Sequence, residues 1–227
     1  MSPTNSRTIL VVAPHPDDET LGCGGTLLRH VANGDSVHWL VMTAMTIGQG
    51  FAVESIERRE REIATVASAY GFAGVHQAGF PTMLLDTVPK SDLVGAVSNV
   101  MRSVQPDTVY LPYRNDAHSD HAAVFDAGAA CCKQFRYPSV RRVRAYETLS
   151  ETEFGLRSDD PGFRPTLWVD ISAWIERKIE IMKMFPTEMA PAPFPRSVDA
   201  ILALATVRGL VAGTSAAEAF ISLREIE

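Results

Sequence analysis

Apolar and polar positions along the chain fall into blocks that switch between a short extended pattern and a helical one. The run Thr8-Ile9-Leu10-Val11-Val12 is too short for a helix and rich in β-branched residues, which predicts a buried parallel strand over 8–13. A helix over about 21–33 follows, with Leu21, Leu27, Leu28 and Val31 on one face and Gly34 as its stop. Next come a strand from about Ser36 to Thr43 and a helix over 54–70, whose Ile63, Val66, Ala67 and Tyr70 face inward before Gly71. A short strand is expected at Val75 to Ala78. Leu93, Val94, Val97, Val100, Met101 and Val104 then repeat at helical spacing over 91–104, with Ser91 as N-cap. Further strands are predicted at 108–111, 143–146 and 167–171. Helices are predicted at about 121–135 (capped by Asp120 or Ser119), 172–185 (capped by Ser172) and 197–212, leaving a short tail. Such alternation predicts an α/β fold, a Rossmann-like three-layer sandwich with a mostly parallel sheet and helices on both faces. With no repeat or low-complexity linker, 1–227 reads as a single domain.

Composition narrows the classes. A net charge of −6 argues against a broad nucleic-acid footprint, and the one dense basic patch, Arg141-Arg142-Val143-Arg144, reads as a solvated strand edge. No apolar run reaches 18 residues, so no membrane span is expected. The polar start, Met1 to Arg7, lacks a signal-peptide core, which makes the cytoplasm the default location. Cys23, Cys131 and Cys132 fit neither a disulfide framework nor a zinc-knuckle spacing and read as small buried hydrophobes.

Chemistry concentrates at two predicted strand ends, where open parallel sheets bind ligands. The first strand ends in His15-Pro16-Asp17-Asp18-Glu19, and the 108–111 strand leads into Asp116-Ala117-His118-Ser119-Asp120-His121. His15 and Asp18 can converge on one point and His121, at a helix mouth, can join them. Two imidazoles and a carboxylate suit a zinc ion with an open position, or ferrous iron in a 2-His-1-carboxylate set. Asp17 and Asp18 are neighbours and cannot easily point the same way, so one can bind metal while the other takes a proton. His118, in its charged form, could stabilise an oxyanion, with Asp120 holding it charged. Gly22-Cys23-Gly24-Gly25 offers a rival nucleotide-binding reading, but its spacing fits neither phosphate-loop pattern. Close packing of helix on sheet explains it better. Loops 43–53, 79–90 and 185–196 are expected to shape the substrate site.

The two clusters together resemble the signatures of the LmbE/PIG-L-like deacetylases, His15 to Glu19 as the opening motif and Asp116 to His121 as the second. Arg59 and Glu62 are similar to the family's R-x-x-E helix, Asp170 to Lys178 to its D-I-…-K segment, and Arg208-Gly209 with Ala217 to Phe220 to its closing stretch. Phe185 to Met189 departs from the family's usual H-x-S-Q. The resemblance implies zinc-dependent hydrolysis of an N-acetyl group on an N-acetylglucosamine-type sugar or conjugate. It implies His15, Asp18 and His121 as metal ligands, Asp17 as general base, and His118 backed by Asp120 as acid or oxyanion donor. It also implies Arg59 as a substrate contact. An amino-sugar substrate and a homo-oligomeric assembly are the partners it suggests.

Overall fold

A computed structural model of the protein describes residues 6–156 and 159–227. The alternation of apolar runs and amphipathic stretches folds into one seven-stranded sheet ordered β3-β2-β1-β4-β5-β7-β6. Its strands are β1 (Thr8–Ala13), β2 (Ser36–Ala44), β3 (Gly74–Pro81), β4 (Thr108–Pro112), β5 (Arg142–Tyr146), β6 (Leu167–Asp170) and β7 (Ala217–Glu225). The helices are α1 (Asp18–Ala32), α2 (Val53–Tyr70), α3 (Lys90–Val104), α4 (Ser119–Ala130), α5 (Ile175–Met182) and α6 (Val198–Ala212).

Strands β1 to β5 run parallel, with Ile9 opposite Thr108 and Val37 and the ladder continuing to the carboxyl ends. Each central strand is apolar on both faces because helices cover both. Ile9, Val11 and Ala13 of β1 pack with Trp39 and Tyr110 under α1, α2 and α5. Leu10 and Val12 face the other way, onto Val97 and Met101 of α3 and Val124 of α4. The chain leaves β1 toward β2 and β3 on one side and enters β4 and β5 on the other, so β1/β4 is the topological switch point.

Several sequence expectations are corrected. The tail beyond 212 is strand β7, inserted antiparallel between β5 and β6, because Phe220 and Ala219 fill the core there. Arg142 to Arg144 therefore lie on an interior strand rather than an edge, with Arg142 paired to Glu225. Helix α1 begins at Asp18, not near 21, which places the acidic residues in its first turn. Ser91 lies inside α3, whose N-cap is Pro89, and α5 is shorter than expected, with Trp174 rather than Ser172 at its N-cap.

The glycine run serves packing. A Cβ on Gly22 would stand 2.2 Å from the Tyr146 ring, and one on Gly25 2.7 Å from Ile171. Helix α1 kinks at Cys23, and the amides of Gly25 and Thr26 donate to the carboxylate of Glu218 at 2.8 and 2.7 Å. A buried acid of the chain itself occupies the amides that a phosphate would need, and Lys178 Nζ neutralises it at 2.7 Å. The nucleotide-binding alternative at Gly22 to Gly25 is thereby overturned.

Candidate metal centre and active site

Because β1 and β4 are neighbours, the loops that follow them meet in the crevice above the switch point. The backbone amide of His15 donates to Asp18 Oδ2 at 2.8 Å, folding the loop so that the His15 ring and the Asp18 carboxylate converge. His15 Nδ1 lies 3.2 Å from Asp18 Oδ2, and His121 Nε2 lies 3.4 Å from the same oxygen. Ligands held at about 2.0–2.1 Å by a tetrahedral ion stand roughly 3.3 Å apart, so this spacing suits a divalent metal. His15, Asp18 and His121 are thus brought together as one candidate set.

The polar atoms around the set point the same way. His121 is fully buried, and its Nδ1–H donates to Asp116 Oδ2 at 2.7 Å. That bond leaves the lone pair on Nε2, which has no hydrogen-bond partner among the described residues. An orphaned buried nitrogen facing a carboxylate and a second imidazole is what a metal would satisfy. Thr152 in turn donates to Asp116 Oδ1 at 2.6 Å. Asp116 opens the second motif but had been given no task of its own; the tautomer of His121, which one-dimensional spacing does not encode, assigns it one.

Asp120 is placed differently from the expectation. Its Oδ2 accepts from His15 Nε2 at 3.1 Å and from the Met83 amide at 2.8 Å, and its Oδ1 accepts from the Leu85 amide. The carboxylate therefore orients His15 and ties down the 82–85 loop, instead of backing His118. Burial opposes its ionisation, but the bonds from His15 and Leu85 win and hold it below the usual carboxylate range.

His118, rather than Ser119 or Asp120, caps α4: its Nδ1 accepts from the Asp120 amide at 3.1 Å. Burial and the neighbouring His15 lower its pKa. Both facts correct the expectation of a charged imidazole. His118 is neutral, with its proton on Nε2, and can donate from there; its ring centroid is 4.5 Å from that of His15. A helix amino terminus at a histidine favours this neutral form.

Asp17 is buried and sits at φ 131°, in the left-handed region that a non-glycine residue avoids. Its amide donates to Glu19 Oε2 at 3.0 Å, and Thr20 donates to Glu19 Oε1 at 2.6 Å. Glu19, the last residue of the first motif, thereby braces that strained turn. Burial, then the adjacent Asp18 and Glu188, push the Asp17 pKa well up, against a counter-pull from Arg196. Glu19 is likewise pushed up by burial, to about 7.

Arg59 borders the site, but its guanidinium is engaged. It donates to the Pro16 carbonyl at 3.1 Å and pairs with Glu62 at 3.2 Å and with Glu188. It braces the motif loop from α2 rather than standing free for substrate. Glu188 and Arg196 come from the proline-rich 185–196 loop, with Arg196 3.7 Å from Asp17 Oδ2 and 3.4 Å from Glu188. The sequence places both in a loop expected to shape the site, but only folding shows the pair they make beside Asp17. His15, Asp17, Asp18, His118, Arg59, Glu188 and Arg196 border a cavity of about 320 Å³, walled by loops that follow β2 and β3, by α2, by the 185–196 loop and by Glu151.

A Rossmann-like α/β sheet with a candidate His/Asp metal site at its switch point defines the class of the molecule. The chain belongs to the family described as PIG-L, GlcNAc-PI de-N-acetylase, whose model matches residues 10–132. It is 27% identical to the 1D-myo-inositol 2-acetamido-2-deoxy-alpha-D-glucopyranoside deacetylase of Rhodococcus jostii, over 83% of this chain and 84% of that protein. It is 24% identical to a Bacillus anthracis protein named as a probable N-acetyl-alpha-D-glucosaminyl L-malate deacetylase 2, over 82% and 83% of the two chains. Among solved structures, the conserved protein TT1542 of Thermus thermophilus superposes with a TM-score of 0.78 at 29% identity, covering 97% of this chain and 96% of that one. No helix among the described residues is long and apolar enough to cross a membrane.

Proposed function

We propose that the protein is a metal-dependent N-deacetylase that cleaves the acetamide of an N-acetylglucosaminyl conjugate to acetate and a free amine. The observation that carries this reading is the unpartnered, buried His121 Nε2 facing Asp18 beside His15, with Asp17 held one residue away in a strained turn. His15 Nδ1, Asp18 and His121 Nε2 would hold the ion. Zinc suits the two imidazoles and one carboxylate, and ferrous iron shares the donor set. When bound, the ion supplies Lewis-acid polarisation and acidifies water.

The chain's own groups do the rest. Asp17 accepts the proton of the attacking water, and burial, which pushes its pKa up, strengthens it as a base. His118 donates its Nε2 proton as a hydrogen bond to the oxyanion that develops on the acyl oxygen, and remains an imidazole. Asp17 then passes its proton to the nitrogen as the C–N bond breaks. Water thus ends divided between acetate and amine. Asp116 and Asp120 fix the rings of His121 and His15. Acetate release from a panel of N-acetylglucosaminyl conjugates, with and without chelator, tests the proposal: release that chelation abolishes is expected. No release from any conjugate, or release indifferent to chelation, would contradict it.

A further inference from the structure

We infer that this cavity takes a conjugate whose aglycone is uncharged and partly apolar, and that it turns away aglycones bearing carboxylates. The inference rests on the deacetylase reading above and names the substrate class that site would accept.

One face of α2 supplies a wall. Ile56, Arg59, Glu60 and Ile63, spaced one helical turn apart, all border the cavity. Met45, Phe51 and Met83 bring further apolar surface from the flanking loops. Met83 is held in place, since its amide donates to Asp120, the residue that also orients His15. An aglycone lying along this wall meets thioether, phenyl and isoleucine side chains.

The charges on the wall are unbalanced. Five carboxylates border the cavity, Asp17, Asp18, Glu60, Glu151 and Glu188, against two guanidiniums, Arg59 and Arg196. With all five ionised, a divalent ion at the metal set still leaves one excess negative charge. Neither arginine is spare. Arg59 is answered by Glu62 and Glu188, and Arg196 by Glu188 and Asp17. Glu60 has only the neutral amide of Gln77 as a donor. The side chain of Glu151 makes no hydrogen bond or ion pair among the described residues. A carboxylated aglycone would find no free cation here and would face Glu151, whose nearby arginine, Arg196, is already paired with Glu188 and Asp17. Juxtaposed like charges are an effective means of excluding a ligand.

The named relatives supply suitable probes, one neutral and one anionic: N-acetylglucosaminyl-inositol and N-acetylglucosaminyl-malate. Both are compared on the zinc-loaded full-length protein, by calorimetric binding and by acetate release. The expected result is at least about tenfold tighter binding and higher kcat/KM for the inositol conjugate. The gap should narrow as salt is raised, because the discrimination is electrostatic. Glu151→Gln should raise the malate conjugate several-fold relative to the inositol conjugate. Equal or better binding of the malate conjugate, or a ratio unmoved by both salt and Glu151→Gln, would overturn the inference. Selective binding of the inositol conjugate with no acetate from either would sink the deacetylase reading and leave the selectivity standing.

Discussion

Asp17 and His118 flank the metal set, one to carry the proton and the other to hold the oxyanion, and each depends on local backbone for its state. The strained turn at φ 131° holds Asp17 on the cavity wall beside Asp18, with Arg196 3.7 Å from its Oδ2. The amide that α4 offers to His118 Nδ1 fixes the proton at Nε2. Replacing Asp17 by Asn should lower kcat by about 10²–10⁴-fold, the usual worth of a general base. Replacing His118 by Ala should lower it by about 10²–10³-fold, as for loss of one oxyanion donor. Steady-state acetate release measures both, and full activity in either variant contradicts the assigned role. Asp116→Ala and Asp120→Ala should each weaken metal affinity by about 10–100-fold, since each orients a ligand ring. A competition titration against a chelator of known affinity checks this, and unchanged affinity would refute the orienting role. The sequence was legible here in residue identity and not in pairing. His15, Asp18 and His121 could be selected from two motifs, but which carboxylate served which ring depended on tautomers and side-chain direction.

At the scale of elements, most strands and helices up to α4 were legible because apolar runs and helical spacing stop at glycine or proline, although α1 and α4 begin earlier than the spacing shows. The tail was not. Ala217 to Glu225 contains small residues and a buried glutamate, and its pattern makes sense only once β5 and β6 flank it. That buried Glu218 ties β7 to the kink of α1 and to Lys178 of α5, both partners being about 95% buried. Glu218→Ala leaves a buried lysine without a counter-charge, holding only the Leu21 carbonyl, and two helix amides without an acceptor. It should cost about 3–5 kcal/mol of stability, as for other broken buried pairs. Chemical denaturation reads this directly, and a loss within about 0.5 kcal/mol, the range of ordinary surface substitutions, would contradict the structural role. The glycine run was legible: its spacing fits no phosphate loop and predicts close packing of helix on sheet, and its surroundings leave room only for hydrogen.

Across the whole molecule, the switch point between β1 and β4 is what turns two distant motifs into one site. The opposite end of the sheet is tied by His30, which is buried between Asp35 and the Tyr110 hydroxyl. Burial, aided by Arg144 and Arg7, lowers its pKa against the pull of Asp35. The unfolded chain binds that proton near pH 6.5 and the folded chain only below it. Its contribution is therefore constant at higher pH and erodes as pH falls through about 6.5, because the unfolded state binds more protons there. In the metal-loaded protein, the stability lead of wild type over His30→Gln should shrink between pH 7.5 and 5.5; parallel denaturation curves would contradict this.

The central claim is that His15, Asp18 and His121 hold the metal while Asp17 and His118 act beside it. Zinc stoichiometry, measured on wild type, His121→Ala, Asp17→Asn and His118→Ala after equal loading and exhaustive dialysis, tests it most directly. One equivalent in wild type, Asp17→Asn and His118→Ala, with none retained by His121→Ala, is the predicted result. Retention of zinc by His121→Ala, or its loss from Asp17→Asn, would contradict the account.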